Sequence, residues 1–251
     1  IESGILKREE PIVQELANEY LTEQGITILN DVTLNSVSND GNKPVITADG
    51  QNYTFDAVLY ATGRRPNTTN IGLENTDITT NERGAIVVND TCESSVPGVY
   101  AVGDVNGGPQ FTYISLDDFR IVFGALTGNG HYTLKDRKNI PYTTFLTPPL
   151  ARVGLTEEDA INKGYTVKTK EMLVATMPRA HVNDNLKGAF KIVVDAESNL
   201  ILGATLYSQS AEELINMIKV AMDNNIPYTY FKNQIFTHPT MAENLNDLCN
   251  F

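Results

Sequence analysis

Apolar positions along this chain fall into two rhythms. Ile12, Val13, Leu16, Ala17, Tyr20 and Leu21 recur at helical spacing, after Glu9-Glu10-Pro11 and before Gly25. Acids at the positive end, a first-turn proline and a glycine beyond the last turn mark the limits of that helix. Short apolar runs at 26–29, 32–37, 45–47 and 57–60 then read as strands, with Asn39-Asp40-Gly41-Asn42 and Asp49-Gly50 as hairpin turns. The runs 86–88 and 99–102 predict buried strands, and Gly107-Gly108-Pro109 leads into a helix over about 110–126. Beyond Ile140-Pro141, strands at 142–146, 189–194 and 200–207 alternate with amphipathic helices at 157–163, 211–224 and 241–249. Thr156 and Asp159 have the spacing of a capping box, and residues 195–199 form a hairpin loop. Strands with helices at one side beyond Ile140-Pro141 predict an α+β domain.

Composition narrows the classes. The chain has 251 residues, 41% hydrophobic and 20% charged, as in an ordinary soluble globular protein of one large or two smaller domains. Its net charge of −12 argues against a nucleic-acid partner. No apolar run is long enough to span a membrane, and no segment has the layout of a signal peptide. Cys92 and Cys249 lie far apart, without metal-ligand or CxxC spacing, which points to a reducing, cytoplasmic setting and to no metal site. All methionines lie at or beyond Met172 and the first residue is Ile1, so the chain is expected to be part of a longer one.

Three stretches carry chemistry. His238-Pro239-Thr240-Met241-Ala242-Glu243 sets an imidazole and a carboxylate five positions apart, with a His–Pro bond that is a candidate cis peptide. A carboxylate on one ring nitrogen fixes the tautomer and raises the basicity of the other, the requirement for a general acid/base; the plainer reading is a helix-cap histidine. Gly103-Asp104 ends an apolar run, where a carboxylate at a sheet edge can accept hydrogen bonds from a polyol; the plainer reading is an Asp in a turn. The helix after Pro109 offers free N–H groups at its start to negative charge.

These motifs, in the order Ala61-Thr62-Gly63-Arg64-Arg65-Pro66-Asn67, Ala101-Val102-Gly103-Asp104-Val105, then the His238–Glu243 stretch, resemble those of the class I pyridine nucleotide–disulfide oxidoreductases. That group includes lipoamide dehydrogenase, glutathione reductase and mercuric reductase. Residues 145–157 are similar to the opening of the family's dimerisation domain, with Pro149 where many members carry Glu. The resemblance implies incomplete α/β nucleotide-binding portions followed by an α+β dimerisation domain. Residues 1–60 would be the second half of an NAD(P)-binding domain, 61–139 the C-terminal part of an FAD-binding domain and 140–251 the interface domain. Neither GxGxxG fingerprint is present.

The resemblance also implies site roles. Gly103 and Asp104 would meet the ribitol of FAD, and the backbone of Gln110, Phe111, Thr112 and Tyr113 the N1–C2=O edge of the flavin. Core packing is the other reading of Phe111 and Tyr113. Glu2 would bond the ribose of NAD(P)H, unless Lys7 and Arg8 receive a 2′-phosphate. Thr33 and Gly63 would make backbone contacts to the pyridine nucleotide, and Arg64 and Arg65 either serve the site or join domains. His238, oriented by Glu243, would work on a redox dithiol from the other subunit of a homodimer. Lipoamide dehydrogenases read Met-Leu-Ala-His where this chain reads Gln-Phe-Thr-Tyr, a variant that looks like the reactive-chlorine-resistance subgroup. The implied function is NAD(P)H-dependent reduction of a disulfide, oxidised halogen or metal ion through a redox disulfide, with the chain alone expected to be inactive. An NADH oxidase or peroxidase, or a non-catalytic dimerisation piece, are the alternatives.

Overall fold

The structure is a computed structural model and describes residues 4–251. In chain order the elements are α1 (Pro11–Glu23), β1 (Leu34–Asp40), β2 (Lys43–Ala48), β3 (Gln51–Thr54), α2 (Thr112–Thr127), β4 (Tyr142–Thr144), β5 (Leu150–Gly154) and α3 (Glu157–Asn162). They continue with β6 (Val167–Leu173), α4 (Pro178–Val182), β7 (Ala189–Asp195), β8 (Ile201–Tyr207), α5 (Ala211–Asp223), α6 (Tyr228–Asn233) and α7 (Asn244–Leu248). Two compact units emerge: Ile1–Val58 with Asn139–Phe251, and Leu59–Lys138.

The first unit holds two sheets. Strands β1, β2 and β3 form an antiparallel meander whose turns fall where the polar Asx-Gly pairs predict them. Asp49 and Gly50 both sit at positive φ, 48° and 76°, the geometry of a two-residue turn whose twist matches its strands. The larger sheet is antiparallel in the order β4-β5-β8-β7-β6. Alternate side chains send Ala151, Val153, Phe190, Ile192, Ala204 and Leu206 to one face, beneath apolar residues of α5 and α7 such as Ile215, Ile218, Leu245 and Leu248. The opposite face presents Leu150 and Tyr207 to Val13, Ala17 and Tyr20 of α1.

Polar contacts fix α1 on that face. The Tyr20 hydroxyl accepts from the Gly188 N–H at 2.8 Å. Lys191, buried on β7, pairs with Glu10 at 3.0 Å, Glu157 at 2.7 Å and Glu171 at 2.9 Å. Burial opposes the charge on this ammonium, yet its three carboxylate partners hold its pKa above the usual lysine value.

The second unit contains no named strand among its residues, only the isolated bridges Thr80↔Ile86 and Glu93↔Tyr100. Its buried residues include Ala85, Cys92, Ala101, Ile114, Asp118 and Ile121. The helix expected over 110–126 is α2.

Several expectations change. The runs 26–29, 57–60, 86–88 and 99–102 are not strands, and Ile26, Leu29, Leu59, Tyr60, Val87, Val99 and Val102 are exposed. A strand needs a neighbour for its N–H and C=O groups, and these runs have no paired ladder among the described residues. The sequence does not mark strand β6, because Val-Lys-Thr-Lys-Glu-Met-Leu carries the charges of an edge strand, paired on one side to β7. Helix α7 starts at Asn244 rather than 241, since the preceding residues form the turn that carries the histidine.

Candidate functional site

The C-terminal pair is built on the connection from α6 to α7. His238–Pro239 is cis, as is Thr147–Pro148. The His238 Nδ1 lies 2.7 Å from Glu243 Oε2, while Glu243 Oε1 accepts from the Thr240 N–H at 3.1 Å. The Thr240 hydroxyl in turn accepts from the Glu243 N–H at 3.3 Å and donates to the Thr237 carbonyl at 2.7 Å. Each carboxylate oxygen therefore has a defined partner. Burial raises the Glu243 pKa, but the bonds from His238 and the Thr240 N–H outweigh it and hold the carboxyl below its ordinary value. The His238 side chain is 68% exposed and that of Glu243 19%. The geometry leaves the imidazole Nε2 turned outward, with the carboxylate behind it.

In the second unit, Gly103 opens a short 3₁₀ turn, Gly103–Asn106, at φ +71°. A Cβ here would meet Ser115 Oγ at 2.2 Å, so both conformation and space demand glycine. The Gly103 N–H donates to Asp118 Oδ2 at 2.7 Å, which also accepts from Asn106 Nδ2 at 2.8 Å. Arg137 pairs with Asp118 Oδ1 and, at 2.8 Å, with Asp117 Oδ2. Asp118 is fully buried, and its three partners make it the pin that fixes this turn. Asp104 projects beyond the turn, half exposed, with Arg64 Nη1 3.8 Å from its carboxylate.

Past Gly107-Gly108-Pro109, Phe111 is the N-cap of α2 and makes no side-chain cap. Gln110 and Phe111 are partly buried, Thr112 and Tyr113 exposed. The Phe111 and Tyr113 rings stack with centroids 5.0 Å apart, and burial pushes the Tyr113 hydroxyl pKa up. An outward carboxylate and a helix start without a side-chain cap, joined by a short glycine-rich link, are a donor set that fits a group bearing both hydroxyls and negative charge.

The remaining predicted residues are scattered. Thr33, in the first unit, donates its N–H to Asp49 Oδ1 at 2.9 Å, and its carbonyl accepts from the Asp49 N–H at 3.0 Å. Gly63, in the second unit, is exposed at φ +112°. Glu2 lies outside the described residues. Cys92 and Cys249 are both buried free thiols, pushed up by burial to about 11 and about 12. No group of three or more His, Cys, Asp or Glu side chains suited to a metal occurs among the described residues. Sequence reading missed Asp118, Asn106 and Arg137, which no local pattern marks. It also passed over Thr240, although Thr240 and Glu243 have capping-box spacing.

Residues 1–118 match the pyridine nucleotide-disulphide oxidoreductase family, and residues 140–249 match its dimerisation domain. The chain belongs to this family. It is 42% identical over 246 residues to a probable pyridine nucleotide-disulfide oxidoreductase, RclA, of Escherichia coli K12, covering 98% of this chain and 56% of that protein. A mercuric reductase of Staphylococcus aureus is 34% identical, over 96% of this chain and 45% of its own length. Among solved structures, the HOCl-induced flavoprotein disulfide reductase RclA from Escherichia coli superposes with a TM-score of 0.95 at 41% identity, covering 99% of this chain and 57% of that one. The chain spans about half the length of the curated relatives it matches. The fold is that of α/β nucleotide-binding portions followed by an α+β dimerisation domain, in a family that uses FAD and NAD(P)H.

Proposed function

We propose that this chain serves a homodimeric oxidoreductase that uses NAD(P)H to reduce a redox disulfide, with His238 as general acid/base and Glu243 as the group that orients it. The observation that carries the reading is the 2.7 Å bond from His238 Nδ1 to Glu243, with the other face of the imidazole exposed. FAD, when bound, would relay electrons between the nicotinamide and the disulfide. Asp104 would hold its ribitol, and Gln110, Phe111, Thr112 and Tyr113 would face its pyrimidine edge. Gly63, Thr33 and Glu2 would belong to the pyridine-nucleotide side. Both backbone groups of Thr33 are already hydrogen-bonded, so nucleotide contact there would go through its side chain or through rearrangement.

His238 has a definite task. A thiol presented to Nε2 gives up its proton to the imidazole and becomes the thiolate that attacks, while Glu243 stabilises the imidazolium. Neither thiol of this chain is suited to that role, since burial disfavours both thiolates. The dithiol is assigned to another part of the assembly, and the match of residues 140–249 to the dimerisation domain supports a homodimer. Two free buried thiols also support a reducing, cytoplasmic setting. Among the described residues no helix is long and apolar enough to cross a membrane.

The relatives named above support a disulfide or a metal ion as the final acceptor, and the induction of one of them by HOCl makes an oxidised halogen a third candidate. The His238–Glu243 pair argues against an oxidase or peroxidase. The test is NADH consumption by the holoenzyme with a disulfide, hypochlorite or Hg(II) as acceptor. NADH consumption with at least one of these, above both the rate in air alone and the enzyme-free rate with the same acceptor, is expected; consumption by dioxygen alone would sink the reading.

A further inference from the structure

We infer that Asn246 is a positioning residue for the His238–Glu243 pair, an inference that rests on reading that pair as the acid/base. The stretch carrying the imidazole has little apolar anchoring. Residues 232–235, 237 and 238 are exposed, and before Pro239 only Phe236 packs partly against the core. Hydrogen bonds must therefore set where this backbone runs.

Asn246 supplies them. Its Nδ2 lies 2.7 Å from the Phe231 carbonyl, 2.9 Å from that of Gln234 and 3.4 Å from that of Lys232. Three carbonyls around one atom identify it as the NH₂. These carbonyls lie at the end of α6, where that of Phe231 also accepts from the Gln234 N–H at 3.3 Å. Glu243 is the N-cap of α7, and Asn246 stands three residues later, on the same side of the helix. One short helix thus holds the carboxylate at its start and grips the backbone leading to the imidazole one turn on. Asn244, buried on the same helix, bonds the carbonyls of Thr240 at 3.2 Å and Met241 at 3.1 Å, beyond His238. These two grips flank the residues around His238 on either side.

A carboxamide suits the position. One NH₂ reaches two carbonyls at once, a hydroxyl reaches one, and a carboxylate repels them. Releasing the upstream arm lets His238 drift from Glu243, and the carboxyl then loses the bond that keeps its pKa low. The groups facing that carboxyl are the His238 imidazole and the Thr240 N–H.

The test uses the holoenzyme with Asn246→Ala, Asn246→Asp and the milder Asn246→Ser. Displacing a catalytic group by about 1 Å commonly costs up to about 100-fold, so the dithiol half-reaction should slow about 10- to 100-fold in Asn246→Ala and Asn246→Asp, and less in Asn246→Ser. Reduction by NADH should stay near the parental rate. In Asn246→Ala the Glu243 carboxyl, followed by carbon NMR, should titrate at higher pH, and the acid limb of the dithiol step should move with it. Asn224→Ala is the matched control: it removes a carboxamide–carbonyl bond to Val220 at the end of α5 and should move neither readout. Parental dithiol rates together with an unmoved Glu243 titration in folded Asn246 variants would overturn the inference, as would equal shifts in Asn224→Ala. If only Asn246→Ser folds, its dithiol rate and Glu243 titration decide in the same way. Should His238→Ala leave the dithiol step untouched while Asn246→Ala still raises the Glu243 titration, positioning stands and the acid/base reading falls.

Discussion

The His238 imidazole and Glu243 carboxylate divide one task, and their substitutions should differ in consequence. Loss of a general base commonly costs about 10²–10⁴-fold, so His238→Ala should slow the dithiol half-reaction by that order and spare reduction by NADH. Glu243→Gln should cost less, since the amide oxygen still accepts from Nδ1 and only the charge is lost. Stopped-flow absorbance separates the half-reactions, and an effect confined to the NADH step would return His238 to a structural role. Glu243's folded pKa is depressed, so its contribution to stability is present above the unfolded value of about 4.3 and is lost only as pH falls through the lower folded value. The thiols behave oppositely. Their folded pKa values, about 11 for Cys92 and about 12 for Cys249, exceed the unfolded value of about 8.5. Stability should therefore be flat below that pH and fall as pH rises from there, and native protein should resist alkylation until unfolded. Rapid labelling of either thiol at neutral pH would contradict this.

At the scale of elements, the fixed point is the seat of α1 on the larger sheet. Lys191→Met would leave Glu10, only 2% exposed, buried without its cation. Removing one partner of a buried pair costs roughly 3–5 kcal/mol; the lower end is expected, because Glu157 and Glu171 are partly exposed and screened by water. Adding Glu10→Leu should restore much of the loss. Denaturation midpoints of the single and double variants decide it, and a double variant no better than Lys191→Met would mean that the charge on Glu10 is not the cost. The Gly103 turn is a second fixed point. Gly103→Ala combines a left-handed φ with a clash against Ser115 and should lower both stability and flavin content. Absorbance of the purified variant reads the flavin directly, and parental content would show that the turn tolerates a side chain.

Across the whole molecule, the apolar residues Phe145, Val182, Val220 and Ile235 stand exposed in the first unit, which also contains the matched dimerisation domain. Such residues gain most from a partner. Obligate interfaces commonly bury roughly 2,000 Å² or more, so light scattering of the holoenzyme should report a dimer at micromolar concentration. A stable monomer under those conditions would remove the source of the thiol that His238 needs.

Local chemistry made some of this legible from the sequence by itself. Helix α1, with its proline start, the Asp49-Gly50 turn, the Thr156 capping box and strands β7 and β8 follow from spacing and turn residues alone. The His238–Glu243 pairing was equally legible, because the two side chains meet across a single turn. Tertiary structure decided what depends on distant partners. Apolar runs at 26–29 and 57–60 lack a ladder among the described residues, whereas the charged run of β6 becomes a strand because β7 pairs with it. Asp118 reads as an ordinary surface residue of a helix, yet it is buried beneath Gly103 with Arg137 against it. Asn246 gives no sign in the sequence of gripping the carbonyls at the end of α6. Spacing determines what a short stretch of backbone can bring together; burial and pairing across the chain decide which of those groups is held in place.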